Sequence, residues 1–188
     1  MTPHTFKRKK PLLLRREGES VYVTAQGRTF IMDAEDLHVL DGWTIIISRG
    51  YVHLQGSRRL KPIPRPSLAR VLVCAPKGME VDHISGDRLD NRKANLRICT
   101  HTENSYNLTM RGRRALFYKG CCFVKNRKST KKWIAQIHIG RINHYLGGFL
   151  TAEEAAAAYN AKAIEAFGRF ARINVIGSPG QTISAAVL

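Results

Sequence analysis

The sequence predicts an α+β protein in three parts: a β-rich N-terminal segment, a central ββα unit, and a separate three-stranded antiparallel sheet packed on one helix. Three observations predict it. Short β-branched runs separated by glycine turns fill residues 20–55. A strand–loop–strand–helix order follows over residues 79–108. Three further strand-like runs then lead into an alanine-rich helix ending near Gly168.

At 188 residues with 44% apolar side chains, the chain can bury a core. It carries 31 Lys and Arg against 14 Asp and Glu, a net charge of +17. That excess favours a polyanionic partner, either nucleic acid or an anionic membrane surface. Apolar runs such as Thr44–Ile47, Val71–Ala75 and Ala155–Ala158 fall far short of the ~20 residues that cross a bilayer. Lys7–Lys10 leads into Pro11 and only three leucines before Arg15, so no secretory signal is expected. Cys74, Cys99, Cys121 and Cys122 form no C-x-x-C pair, which argues for reduced structural thiols rather than a zinc ribbon. Residues 71–115 carry a net +3, against +7 in each flank, so the centre is the least basic part.

Residues 1–18 read as a basic, flexible tail. Val21–Val23 and Arg28–Met32 read as strands around a turn at Gln26-Gly27. Asp33 to Leu40 reads as a short helix capped by Asp33. Trp43–Ser48 and Gly50–Gln55 form an expected hairpin. Pro62, Pro64 and Pro66 exclude regular structure over Lys61–Pro66, and Ser67 to Cys74 reads as helical. The basic, glycine-containing stretch 111–115 is the expected linker between a domain at 19–110 and a second at 116–176, with a tail at 177–188. In the second domain Phe117–Val124, Trp133–Ile139 and Asn143–Phe149 are the expected strands. Ile134, Gln136 and His138 alternate with Ala135, Ile137 and Ile139, the period of a sheet with one buried face. Thr151 and Glu154 form a capping box, and Gly168 ends the helix.

The central stretch concentrates the chemistry. Asp82 and His83 end a short apolar strand (Met79–Val81) and enter a polar loop. Asn95 closes the loop, Leu96–Cys99 supplies a second strand, and Thr100 with Glu103 starts a helix that carries Asn104. A carboxylate, an imidazole and amides gathered in this way suit phosphodiester hydrolysis. Asp82 and Asn104 offer hard oxygen ligands for Mg²⁺. A histidine neutral at pH 7 can take a proton from attacking water. Asn95 can hold the loop, and with it the imidazole, in orientation.

The string Asp82-His83-Ile84-x-Gly86-x-x-Leu89-Asp90-Asn91-Arg92-x-x-Asn95-Leu96-Arg97, followed by Thr100 and Asn104, resembles the HNH homing endonucleases of phage type. The resemblance covers about residues 68–108. It implies a ββα-metal fold, with His83 as general base, Asn95 as the orienting asparagine, and Asp82 and Asn104 as ligands of one Mg²⁺ or Mn²⁺. Homing relatives carry a Leu-His-Arg-Leu pattern ahead of the motif, where this chain has Leu68-Ala69-Arg70-Val71.

Tyr118-Lys119-Gly120, Lys132-Trp133, Tyr145-Leu146-Gly147-x-Phe149-x-Thr151, Glu153–Ala156 and Ala171-Arg172-Ile173-Asn174 resemble the APETALA/ethylene-response-factor DNA-binding domain. That resemblance implies a sheet laid in the major groove, with contacts from Lys119, Cys122, Val124, Gln136, His138, Asn143 and Tyr145. Gln136 or Asn143 could pair with adenine. Lys125, Arg127, Lys128, Lys131 and Lys132 are expected on phosphates. Arg70, Arg92, Arg97, Arg113 and Arg114 complete the expected DNA-binding set.

The resulting expectation is a site-directed endonuclease for double-stranded DNA, nicking per chain. It would be a monomer or weak homodimer with no membrane partner, in the cytoplasm of a bacterial or phage-infected cell. The rival expectation is a DNA-binding regulator with a degenerate nuclease unit, and Ala69 is the feature that favours it.

Overall fold

The computed structural model describes residues 12–56, 65–108 and 118–187. The expected linker 111–115 with Arg113 and Arg114, the segment Lys61–Pro64, and Phe117 lie outside the described residues. The chain divides into two units, Met1–His101 and Thr102–Leu188. No described helix is long and apolar enough to cross a membrane.

In the first unit, β1 (Leu13–Glu17), β2 (Ser20–Ala25) and β3 (Arg28–Asp33) form an antiparallel meander. Gln26 (φ 54°) and Gly27 (φ 75°) make the tight β2–β3 turn, and positive φ at both central residues matches the twist of a two-residue hairpin. β1 is a correction to the expected tail. Its five residues are exposed, so burial left no pattern in the sequence, and backbone pairing with β2 holds it in place. The 34–40 segment is a 3₁₀ helix (Ala34–Leu40), and Asp33 does not cap it. Asp33 Oδ2 instead accepts from the Lys93 backbone N–H at 2.8 Å.

β4 (Thr44–Ser48) and β5 (Tyr51–Gln55) form the expected hairpin, and α1 (Leu68–Leu72) is capped by the Ser67 hydroxyl. β6 (Glu80–His83) and β7 (Leu96–Cys99) pair antiparallel. One core runs through β2 to β7 and α1, with Val23, Phe30, Met32, Leu54, Leu68 and Leu96 in it. Ala69 is part of that core at 4% exposure. The N-terminal segment also supports the loop between β6 and β7. Ile31 N–H donates to Leu89 O, and Asn91 N–H donates to Ile31 O, each at 2.8 Å. Lys93 Nζ reaches Asp36 (2.8 Å) and Glu35 (3.1 Å).

The second unit opens within α2 (His101–Tyr106). The division therefore falls ahead of the expected linker. Tyr106 stacks on Phe167 at 3.9 Å, and Lys119 Nζ donates to Tyr106 O (3.1 Å) and Leu108 O (2.9 Å). β8 (Cys121–Phe123), β9 (Trp133–Ile139) and β10 (Ile142–Phe149) form a sheet in the order β10-β9-β8. α3 (Ala152–Phe167) packs on one face of the sheet. Ala135 and Ile137 are buried toward α3, with Tyr159, Ala163, Ala171 and Ile173. Thr151 Oγ1 accepts from Glu154 N–H at 3.1 Å.

Gly120 (φ +76°) lies so close to α3 that a Cβ would stand 2.0 Å from Tyr159 Cδ2, so only glycine fits. The expected C-terminal tail holds structure: β11 (Arg172–Asn174) pairs with β12 (Thr182–Ser184). Asn174, Asn160 and Lys119 tie β11 to α3 and the start of the sheet. Asn174 Nδ2 donates to Lys119 O at 3.0 Å, and Asn160 Oδ1 accepts from Asn174 N–H at 2.8 Å.

Candidate active site

Asp82 and His83 lie on β6 itself, the strand running two residues past its expected end. Their neighbours across the hairpin are Arg97 and Leu96. Both side chains are buried, Asp82 at 7% and His83 at 5% exposure. Burial of charge is tolerated where a partner is held close. Arg97 is that partner for Asp82: its Nε and Nη2 donate to Oδ2 at 2.9 and 2.6 Å. Arg97 is itself 7% exposed, so its expected role on DNA is corrected to a structural one.

The loop over residues 84–95 is built around Asn95. Its Oδ1 accepts from Ser85 N–H at 2.8 Å, and its Nδ2 donates to Asp90 O at 2.8 Å. Asn95 O accepts from Ile84 N–H at 2.9 Å. Gly86, at φ 85°, makes the sharp bend after His83 and donates to His83 O at 2.8 Å. Asp87 Oδ1 accepts from Leu89 N–H at 2.9 Å, an Asx turn. The bonds made by Asn95 reach across the loop and fix its shape, while those of Gly86 and Asp87 set local turns.

Asn91 is a functional candidate that the residue-type reading left without a role. It is 1% exposed, and its side-chain amide hydrogen-bonds the His83 ring. Its Nδ2 points at the Leu89 and Arg88 carbonyls (3.3 and 3.5 Å), leaving its oxygen to accept from the ring N–H. That bond selects one tautomer and leaves a lone pair on the other ring nitrogen. Burial pushes the His83 pKa below its ordinary value, against the Asn91 bond and the Asp82, Asp87 and Asp90 carboxylates. The imidazole is therefore neutral at pH 7. Tyr51 stands beside it, ring centroids 6.1 Å apart, and Arg88 covers Tyr51 at 4.4 Å. Burial would raise the Asp90 carboxyl, but hydrogen bonds and charge from Arg92 hold it below the usual range. Arg92 pairs with Asp90 at 2.6 Å and keeps much of its side chain exposed.

Asp82 and Asn104 carry hard oxygen donors of the kind that suit a divalent cation. Among the described residues no group of three His, Cys, Asp or Glu side chains is arranged to hold a metal. The oxygen donors named in the sequence are Asp82 and the amide of Asn104, on α2 at the start of the second unit. Protein sites for Mg²⁺ commonly use one or two carboxylates with waters and substrate phosphates.

The remaining expected DNA contacts divide by direction. Arg70 points inward, donating to Met79 O, Ala75 O (3.2 Å) and Pro76 O (2.9 Å). Lys119 is turned onto the end of α2, and burial beside Arg172 lowers its pKa to about 8. Both are corrections: these amines and guanidines are committed to carbonyls. Gln136, His138, Asn143 and Tyr145 share the sheet face away from α3, in register as Asn143↔His138 and Tyr145↔Gln136. Asn143 Nδ2 donates to Gln136 Oε1 at 3.0 Å. Cys122, opposite Ile134, is on the same face. Lys125 and Lys128 are exposed in the β8–β9 loop, while Lys132 Nζ donates to Lys125 O at 2.9 Å.

Residues 75–106 match the HNH endonuclease family model. The matched segment runs from just before β6 through β7 and α2. A stretch of 101 residues is 34% identical to an uncharacterized HNH endonuclease of Acanthamoeba polyphaga mimivirus, covering 54% of this chain and 50% of the relative. The chain spans about half the length of that curated relative. No solved structure matches. The HNH match ends at Tyr106, ahead of the C-terminal sheet.

Proposed function

We propose that the chain is a DNA-cleaving hydrolase in which the HNH segment hydrolyses a phosphodiester and the C-terminal sheet grips duplex DNA. The observation that carries the reading is His83: buried at the end of β6, bonded by Asn91, and neutral at pH 7. A neutral imidazole with a fixed tautomer can remove a proton from water attacking phosphorus. Asn95 holds the loop that walls the imidazole. Asp82 and Asn104 are the groups that would hold one Mg²⁺ or Mn²⁺, with Arg97 fixing the Asp82 carboxylate. Such a cation, when bound, stabilises negative charge on the phosphate and leaving oxygens. The resemblance of the Asp82–Asn104 string to phage homing enzymes supports a site-directed reaction, and a single such motif in the sequence supports nicking by a monomer or weak homodimer. The net charge of +17 supports a DNA substrate.

The test is a supercoiled-plasmid assay with Mg²⁺ or Mn²⁺. Wild type is expected to give nicked circles before linear product. His83→Ala is expected to lose roughly 10²- to 10⁴-fold in rate, the usual worth of a general base. Equal cleavage by both proteins would overturn the role of His83. A second reading, a DNA-binding regulator without cleavage, is favoured by Ala69: it fills core space where homing relatives carry an imidazole. Salt-sensitive binding with no metal-dependent cleavage would establish it.

A further inference from the structure

Basic side chains of the second unit cluster in the loops of its sheet. The unit's described acidic residues are Glu103 on α2 and Glu153, Glu154 and Glu165 on α3, which also carries Lys162. Six basic residues, Lys125 to Lys132 and Arg141, lie in the loops that join the strands on the sheet. One of the six is not a loop-tip cation. Arg127 folds back over the sheet: its Nη2 donates to Tyr145 Oη at 2.8 Å, and its guanidinium carbon is 5.9 Å from the Tyr145 ring centre. It lies over Gly148, where a Cβ would meet Nη1 at 2.6 Å and Cζ at 2.9 Å. Gly148 pairs with Ile134, on the same face as Gln136, His138 and Asn143.

The seat is incomplete. Arg127 Nη1 is buried and makes no hydrogen bond among the described residues. A charged N–H held away from water without an acceptor is costly, so the folded-back arginine is poised to exchange for a better acceptor. We infer that Arg127 is the sequence-reading arginine of this face: it leaves Gly148 and donates in bidentate fashion to a guanine edge in the major groove. Guanine O6 and N7 are the pair of acceptors that a guanidinium fork matches. The neighbouring lysines, with no planar fork, supply phosphate contacts that carry no sequence information. The inference rests on the reading of the sheet as a duplex-binding surface.

The test uses the full chain in EDTA, so that bound duplex is not cut. Wild type, Arg127→Lys and Gly148→Ala are each used to select duplexes from a random pool. Affinities are then measured for the selected and a scrambled duplex, with thermal melting as the check on folding. Wild type is expected to select a site with an invariant guanine. Arg127→Lys is expected to lose discrimination at that guanine by roughly ten- to hundredfold, while holding the scrambled duplex as before because its charge is kept. Gly148→Ala evicts the guanidinium from its seat and is expected to retain the guanine preference. If Arg127→Lys selects the same guanine with the same ratio, the inference fails and the duplex-binding reading stands. If Gly148→Ala loses the preference, reading by a released arginine is wrong. If wild type binds no duplex, both fail.

Discussion

The β6–β7 hairpin and the open face of the C-terminal sheet both gather polar side chains, and they hold them in opposite ways. On the hairpin, Asp82, His83, Asn91, Asn95 and Arg97 are all buried and bonded to one another or to the loop backbone. On the sheet, His138, Asn143 and Tyr145 are exposed, and their contacts are few. The difference follows from the work each would do. A group that moves a proton must be fixed in position and protonation state before substrate arrives. A group that reads a base edge must be exposed enough to reach it.

Four measurements break or sharpen this comparison, beginning with the largest effect. Gly120→Ala should unfold the second unit. Its Cβ would collide with Tyr159 at 2.0 Å and with Gln136 O at 2.8 Å, at a φ of +76°. A loss on the order of 4 kcal/mol or more is expected in urea titrations read at Trp133 in a Trp43→Phe background. The first unit should melt as before.

Arg97→Ala comes next, with about 3–5 kcal/mol lost from the first unit, because the Asp82 carboxylate is left buried without its partner. The measurement is the same titration read at Trp43. A loss below ~1 kcal/mol, the range of exposed pairs, would mean that the hairpin is not the closed structure described.

Lys119 supplies a pH signature. Its pKa is lowered to about 8 when folded and returns to 10.5 when unfolded. Between these values the unfolded chain binds more protons, so folding gains stability as pH rises from 8 to 10.5. The gain should be on the order of 2–3 kcal/mol and should be absent in Lys119→Met. Cys121, pushed up to about 12 by burial, acts in the other direction above pH 9, so the two proteins must be compared at each pH. The smallest effect belongs to Lys128, exposed in the β8–β9 loop. Lys128→Ala should weaken duplex binding alike for every sequence and lower the salt slope by about one.

The parts of the fold with strong periodicity were legible. Ala135 and Ile137 are buried as their alternation requires, and Thr151 caps α3 as its spacing from Glu154 requires. The β1 strand and the β11–β12 pair were not, because exposed or three-residue strands leave no burial pattern and are held by backbone pairing. The direction of charged side chains was the least legible. Arg70, Arg97 and Lys119 look from composition like phosphate contacts, yet all three point inward. Arg97 left a signal: it stands opposite Asp82 once the hairpin register is known. A loop of twelve residues hides that register. Arg70 and Lys119 left none, since their acceptors are backbone carbonyls that no side-chain letter marks. Asn91 was visible in the motif as a letter, but its bond to His83 exists only after the loop closes.

The two backbone bonds from Ile31 to Leu89 and Asn91 have an evolutionary consequence. The residues that match the HNH family model do not bring their own foundation, since the bend bearing Asn91 is nailed to a strand about sixty positions upstream. A gene fragment encoding only 75–106, moved into another host protein, would transplant the letters and leave the imidazole without its brace. The piece that keeps the imidazole braced is the larger one that begins with the meander.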